Sequence, residues 1–365
     1  MPPLPHRLTP FLQNDLDQTD FTFLGPVQHG KVRDVYRSSP DAWFFITTDR
    51  QSAFDVSWCT IPLKGLVLTA LSTWWFQRVQ DILPTHILAT PDPNVTVVRP
   101  LRMIPIEIVV RGYLTGSTQT SIWFHYKNGG RNFCGNPLPD GMVRNQPLPT
   151  TLITPTTKSN AHDELIDPPN IIRHRLATSA QWEKIADAAL RLFRHGQEIA
   201  AERGLILVDT KYEMGYDDQG HLTLADEVHT PDSSRYWIAD TYQKRFQNGE
   251  EPENLDKEFF RLWLKDQGYA QDCPKPTITD EVRLQLAEKY IALYERMTGE
   301  PFPLPSPNDI LGRIERNIRS FIRSSPTLSR CRCGKRRQFP APSLSNTMLF
   351  DKPSRDFESI LRLNI

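Results

Sequence analysis

Six stretches of this chain combine residue types that could hold and move charged groups. The richest is Ile206-Leu207-Val208-Asp209-Thr210-Lys211-Tyr212-Glu213. Read as a strand, residues two apart share a face, so Asp209, Lys211 and Glu213 line one side. Ala225-Asp226-Glu227 ends the next predicted strand and brings Asp226 beside them. Alternating charges also suit a solvated face, but two points favour chemistry. Asp209 directly follows an apolar run. Two carboxylates ~5 Å apart at an effective dielectric of ~20 repel by ~3 kcal/mol, so a cluster of three needs a cation. Hard oxygens with no His or Cys among them suit Mg²⁺, which commonly bridges to substrate phosphates.

The other stretches are weaker alone. In Gly30-Lys31-Val32-Arg33-Asp34 a glycine lets backbone N–H groups approach a phosphate and Lys31 adds charge, although a Gly-Lys before a strand is also an ordinary turn. Lys31 with carboxylate-held Mg²⁺ implies a nucleoside triphosphate and transfer of its terminal phosphoryl group. Val109-Val110-Arg111-Gly112-Tyr113-Leu114-Thr115-Gly116-Ser117 offers Arg111, Ser117 and bare backbone as an anion cradle. It equally suits a strand-end arginine over a glycine-rich turn. Thr230-Pro231-Asp232-Ser233-Ser234-Arg235 reads as a turn and helix N-cap facing the same cleft. Arg235 in a first helical turn opposes the macrodipole, and an anionic ligand would resolve that. Ser52-Ala53-Phe54-Asp55 and Thr156-Thr157-Lys158 with His162-Asp163-Glu164 read locally as polar loops.

The elements that must position these residues follow from periodicity. Val32–Arg37 and Ala42–Thr48 are predicted strands around a Ser-Ser-Pro-Asp turn. Leu66–Leu83 is a predicted helix; Val95–Arg99 and Ile106–Arg111 are strands; 131–155 is a long Pro/Gly/Asn-rich loop. Trp182–Arg203 is a strong amphipathic helix closed by Gly204. Leu205–Glu213 and His221–Glu227 form a hairpin, followed by helices over 256–265 and 280–297. The class is α+β with two lobes and a cleft.

Composition sets the limits. The 365 residues carry 43 Lys+Arg and 43 Asp+Glu, which excludes a wholly basic nucleic-acid binder and an acidic disordered chain. That balance is uneven: residues 311–365 hold 12 Lys+Arg against 4 Asp+Glu. The last forty or so residues, rich in Ser, Pro, Arg and Cys, are expected to be mostly disordered. Their basic run is expected to be solvated rather than to bind nucleic acid. Five scattered cysteines suit a reducing compartment, and Cys331-Arg-Cys333 lacks the second ligand pair of a zinc site. With no apolar stretch of secretory or membrane-spanning type, a cytoplasmic location and no membrane partner are expected.

Eight blocks in order, GKVRDVY, TTDRQSAFDV, KGLVLTALSTWWF, EIVVRGYLTGS, TPTTK…HDE, LVDTKYEMG, LADEVHTPDSSRYW and LDKEFFRLWL, strongly resemble the SAICAR synthetase family over about residues 20–300. The resemblance implies a two-lobed fold related to ATP-grasp enzymes. It puts ATP between an antiparallel-sheet N-terminal lobe (21–115, after an arm at 1–20) and a mixed C-terminal lobe (116–300). An atypical tail (301–365) would follow. It implies an ATP-dependent ligase joining carboxyaminoimidazole ribotide (CAIR) to L-aspartate, as a monomer or small homo-oligomer. A small-molecule kinase on the same scaffold is the competing reading, disfavoured by the Arg111…Ser117 and Asp232…Arg235 blocks.

Residue by residue, the resemblance implies that Lys31 and Arg33 hold nucleotide phosphates and that Glu107 sits near the adenosine. Asp209, Glu213 and Asp226 would hold Mg²⁺. Lys211 and Arg235 would bind CAIR, with Arg111 and Ser117 on its phosphate. Lys158 and Asp163 would contact ATP and help place the reacting groups. Ser52, Ala53, Asp55 and the Asp232-Ser233-Ser234 turn would face the substrates. Leu63 and Leu66 around Lys64-Gly65, Gln51, and the Asp163-Glu164-Leu165-Ile166 segment depart from the family pattern.

Overall fold

The computed structural model describes residues 4–54, 56–158, 164–269 and 274–325. Asp55 and Asp163, both expected at the site, lie outside the described residues. Two sheets organise the rest. The N-terminal sheet is antiparallel and five-stranded, in the order Val27–His29, Arg33–Tyr36, Trp43–Thr47, Val95–Val98, Ile87–Asp92. Side-chain alternation splits its apolar residues between faces. Tyr36, Phe44, Ile46, Val95 and Val97 pack one way, whereas Val35, Phe45 and Val98 pack the other.

The central sheet is built on one long strand, Leu205–Tyr216. Ile106–Leu114 runs antiparallel along one edge, with Asp209 opposite Arg111 and Lys211 opposite Val109. Two short strands divide the other edge: Ser234–Ile238 sets Arg235 opposite Asp209, and Leu222–Ala225 sets Ala225 opposite Glu213. Because Ile106–Leu114 pairs with Leu205–Tyr216, it belongs to the central sheet.

Behind this sheet the helix Ser179–Glu202 buries Ile185, Ala189, Leu192 and Phe193. It starts with a Thr178–Gln181 capping box, and Gly204 just beyond it takes φ +65°. The helix Lys64–Val79 is packed on nearly all sides. A Cβ on Gly65 would stand 2.4 Å from the Thr47 carbonyl, so only glycine lets this helix start abut the N-terminal sheet. Leu63 and Leu66 beside it are buried, which accounts for apolar residues there.

Three expected elements are corrected. The loop expected over 131–155 contains a strand, Gln146–Ile153, on the edge of the central sheet. Its Pro147 and Pro149 suggested a loop, but an edge strand tolerates prolines that cannot donate to a ladder. The helix expected from Asp232 is instead the strand Ser234–Ile238, since Tyr236, Trp237 and Ile238 are buried and well suited to a pleated surface. Finally, the tail does not begin at 301. Ile310–Ser324 is a helix whose Ile310, Ile314 and Ile318 complete the core under the N-terminal sheet.

Candidate active site

Between the two sheets lies a cleft of about 440 Å³. Lys31, Ser52, Glu107, Arg111, Asp209, Lys211, Asp232 to Arg235 and Lys257 are among its walls. The strand pairing fixes its floor. Asp209 is flanked by the opposed arginines: Arg235 Nη1 donates to its Oδ2 at 2.5 Å and Arg111 Nη1 at 3.3 Å. Arg111 Nε also donates to the Thr154 hydroxyl at 2.8 Å. Arg235 further meets Glu258 at 3.3 Å, and Arg261 meets the same Glu258 oxygen at 3.1 Å. Burial opposes ionisation of Glu258, yet these two guanidiniums pull its carboxyl down to about 2.

Two residues along the strand the partners change. Lys211 Nζ donates to Glu107 at 2.8 Å and Glu213 at 2.6 Å, and stands 3.9 Å from Asp226. Lys158 donates to the other Glu213 oxygen. Arg33, from the N-terminal sheet, forks onto Asp226 and onto Glu227 at 2.9 Å. Asp226 has φ +61°, a conformation aspartate tolerates, and this turn aims both acids at Arg33. Burial acts against the charges of Lys211, Glu213 and Arg33. Even so, Lys211 and Lys158 hold Glu213 far below the usual carboxylate range, and Glu213 and Glu107 hold Lys211 well above that of a lysine.

The expected set of three metal-holding carboxylates is therefore divided. Asp209 faces arginines at one end, while Glu213 and Asp226 share Lys211 at the other. Among the described residues no group of three His, Cys, Asp or Glu converges to hold a metal ion. The reason is strand rise: four residues cover about 13 Å, so a shared face is not a shared site.

Glu107 lies on the cleft floor against Lys211. A separate, mostly apolar nook is lined by Phe45, His86, Val98, Leu101, Met103 and Ala225, and opens beside Glu213 and Asp226. Burial pushes His86 there down to about 4, so it is neutral. Ser117 is buried; its carbonyl accepts from Lys265 and its hydroxyl lies beside Glu258. Ser52 lies in the hairpin strand Arg50–Ala53 and accepts from Lys257 at 3.4 Å. Asp232 accepts from Lys64, Lys257 and Tyr290, and nearby Ser234 meets the Thr210 hydroxyl at 2.7 Å. Asp232 does not cap a helix; Thr230 Oγ1 instead accepts from the N–H groups of Asp232 and Ser233. Arg235, expected to await an anion at a helix start, already has Asp209 and Glu258.

Sequence reasoning passed over Glu227, Lys64, Lys257, Glu258 and Arg261. All five lie inside blocks already singled out. Lys257, Glu258 and Arg261 follow one another along a short helical segment of LDKEFFRLWL, a spacing that turns them toward one side.

A family model described as SAICAR synthetase matches residues 26–276. The chain is 48% identical over 309 residues to the phosphoribosylaminoimidazole-succinocarboxamide synthase of Legionella pneumophila (strain Lens), covering 84% of this chain and 98% of that one. It is also 48% identical, over 297 residues, to the chloroplastic synthase of Arabidopsis thaliana, covering 81% and 72% respectively. Among solved structures, it resembles the SAICAR synthase of Saccharomyces cerevisiae in complex with SAICAR, with TM-score 0.69 and 30% identity over 79% of this chain and all of that one. A SAICAR synthetase in complex with ADP gives TM-score 0.58 and 27% identity over 76% of this chain and all of that one.

Proposed function

The chain belongs to the SAICAR synthetase family, and from that premise we propose how its cleft carries out the reaction. The protein is an ATP-dependent ligase of purine biosynthesis. It joins CAIR to L-aspartate, releasing SAICAR, ADP and phosphate. A carboxylate is a poor electrophile, because its charge repels a nucleophile and oxide does not leave. Phosphorylation of the CAIR carboxylate gives an acyl phosphate that the aspartate amine can attack.

One observation carries the assignment of residues. A single strand presents an arginine-flanked end (Asp209 with Arg111 and Arg235) and, about 13 Å away, an acid-rich end (Glu213 and Asp226), with Lys211 between them. That span accommodates a ribotide whose phosphate lies near the arginines and whose carboxylate meets the terminal phosphate of ATP near Lys211. Arg111 and Ser117 take the ribotide phosphate. Arg235 and Lys211 hold the rest of CAIR, and Asp209 keeps both arginines aligned. ATP lies between the two sheets, its base in the apolar nook by Val98, Leu101 and Met103. Lys31, Arg33 and Lys158 serve its phosphates. Ser52 and the Asp232-Ser233-Ser234 turn wall the aspartate side.

The acid-rich end also fits Mg²⁺. Lys211 Nζ lies 2.6 Å from Glu213 and 3.9 Å from Asp226, so the two carboxylates already converge on one cation. Two hard oxygen donors supplemented by phosphate oxygens suit this metal, which when bound draws charge off the phosphoryl group. With Glu213 and Asp226 holding the metal, Arg33, Lys158 and Lys211 would be free to bind the anionic substrates. Positioning and charge stabilisation supply most of the rate.

We place the enzyme in the cytoplasm: Cys59 and Cys134 are free thiols, and no helix among the described residues is long and apolar enough to cross a membrane. The reaction is tested by ADP release with ATP and CAIR, with and without L-aspartate. Release should require aspartate and match SAICAR formed; release that ignores aspartate overturns the reading.

A further inference from the structure

Two lysines close on one carboxylate oxygen at the side of the cleft. Lys64 Nζ lies 3.0 Å and Lys257 Nζ 3.2 Å from Oδ2 of Asp232, whose Oδ1 accepts from Tyr290 at 2.7 Å. One negative charge thus faces two positive ones in a nearly dry place: the lysine side chains are 0% and 11% exposed and Asp232 4%. Like charges this close make one proton inexpensive to lose.

The two lysines are not equivalent. Lys64 also donates to the Arg50 carbonyl at 2.7 Å, and it does not line the cleft. Among the described residues the further acceptor of Lys257 is the Ser52 hydroxyl at 3.4 Å, and Lys257 forms part of the cleft wall. On its own helix, Arg261 adds positive charge. Neighbouring Asp256 offers little, since its two oxygens accept the N–H groups of Tyr236 and Glu258. Burial pulls Lys257 down to about 8 against the attraction of Asp232, and Lys64 and Arg261 add to the effect. Burial raises the Asp256 carboxyl to about 7, but both its oxygens are engaged by backbone N–H groups, and the other charged groups of the cleft are tied to partners. Asp209 is shared by two arginines, Glu213 and Glu258 are held ionised by cations, and arginine does not deprotonate.

We propose that Lys257 is the proton acceptor for the incoming nucleophile, its neutral Nζ taking a proton from the α-ammonium of aspartate while Lys64 holds Asp232. This rests on the acyl-phosphate reading above. Aspartate arrives as –NH3⁺, and transfer of one proton to Nζ frees the nitrogen lone pair. The amine attacks the acyl carbon and the C–N bond forms. The bond from that carbon to the phosphate oxygen breaks, its electron pair leaving on phosphate, which takes the second proton from nitrogen. Lys257 returns its proton to solvent as product leaves.

The test compares Lys257→Arg, which keeps a cation on Asp232 but cannot shed a proton, with Lys257→Gln. Each full-length variant is assayed with ATP, CAIR and either L-aspartate or hydroxylamine, an amine already unprotonated at neutral pH. Both variants should lose about 10²–10⁴-fold in kcat/KM for aspartate while keeping hydroxamate formation within about threefold. In the wild type the aspartate rate should rise with pH through about 8, and Lys257→Arg should lack that limb. Near-normal aspartate turnover in Lys257→Arg overturns the proposal, since charge alone would then suffice. Equal loss with both nucleophiles also overturns it, since Lys257 would then serve the phosphoryl step or the fold. A wild type that makes amide but no hydroxamate removes the acyl-phosphate reading, and this proposal with it. That outcome is distinguishable because it needs no variant.

Discussion

The two ends of the cleft neutralise buried carboxylates by different means. Asp209 is met by Arg111 and Arg235, each at the paired register position on a neighbouring strand. Glu213 and Asp226 are met by Lys211 and Lys158 on flexible stems and by Arg33 reaching across from the other sheet. A guanidinium is planar, always charged and here fixed by the ladder, whereas an ammonium is a point charge that moves easily. The first end is therefore fixed by the strand ladder, and under the proposed reading it is a cradle ready before substrate arrives. The second is held by two ammonium groups and by one arginine from the other sheet, and under the proposed reading these cations give way to a metal and phosphates. Asp209 and Glu213, four residues apart on one strand, have different partners, and partner type marks the division.

Asp209→Asn should strike the fixed end hardest. It leaves two buried arginines short of their shared partner, which costs about 3–5 kcal/mol of stability. With the cradle misaligned, aspartate-dependent ADP release should fall by about 10³-fold or more. Urea unfolding and the ADP assay read the two effects. A normal unfolding midpoint would show that Asp209 does not hold the arginines, and the comparison would break.

Glu258→Gln tests the same end through pH. The carboxyl of Glu258 falls from 4.5 to about 2 on folding, because Arg235 and Arg261 outweigh burial. A depressed value means that its stabilisation is complete above pH 4.5 and disappears as pH falls through about 2. The shift corresponds to about 3 kcal/mol. The variant should lose up to about that much at pH 7, and its stability should depend less on pH between 4.5 and 2. An unchanged acid limb in urea unfolding would remove Glu258 from the arginine network.

Much of this was legible beforehand, for physical reasons. The period-two run Asp209-Lys211-Glu213 named one face of a strand, and the apolar run before it named a buried strand. Helix 179–202 announced itself by its amphipathic spacing and Gly204. Distance along the strand was not legible: alternation reports a face, and only pairing with Arg111 and Arg235 shows that Asp209 has partners apart from those of Glu213. The turn after Thr230 carried helix-capping residues, yet burial of Tyr236 and Trp237 between neighbours made a strand. Helix 310–324 was hidden in a basic, serine-bearing stretch because its four-residue spacing of Ile310, Ile314 and Ile318 has meaning only against a sheet that needs covering.

Glu213→Gln probes the second end. Lys211 keeps Glu107 and Asp226 nearby, so the folded chain should be much less disturbed than by Asp209→Asn. Loss of one hard donor should raise the Mg²⁺ concentration for half-maximal turnover by about 10–100-fold. A Mg²⁺ titration of the ADP assay measures it. Unchanged Mg²⁺ dependence would remove Glu213 from the metal end and leave the second half of the comparison without support.

Arg313→Ala is the control that asks whether an arginine–aspartate pair matters to turnover wherever it occurs. Arg313, on helix 310–324, grips the fully buried Asp92 through Nε at 3.1 Å and Nη2 at 3.3 Å, far in sequence from either cleft end. Asp92 would keep Asn317 at 2.7 Å and the Asn94 N–H at 2.9 Å. Only part of its solvation would be lost, so the cost should be about 1–2 kcal/mol. That loss should appear as looser packing of the helix on the N-terminal sheet, read by hydrogen exchange. The rate constant of the ADP assay should stay within about twofold, because additivity holds for separated sites with no shared partner. If turnover instead falls as far as in Asp209→Asn, the N-terminal sheet transmits the helix's docking to the phosphates through Arg33. The cleft's two ends would then be a single unit governed by how that sheet is held.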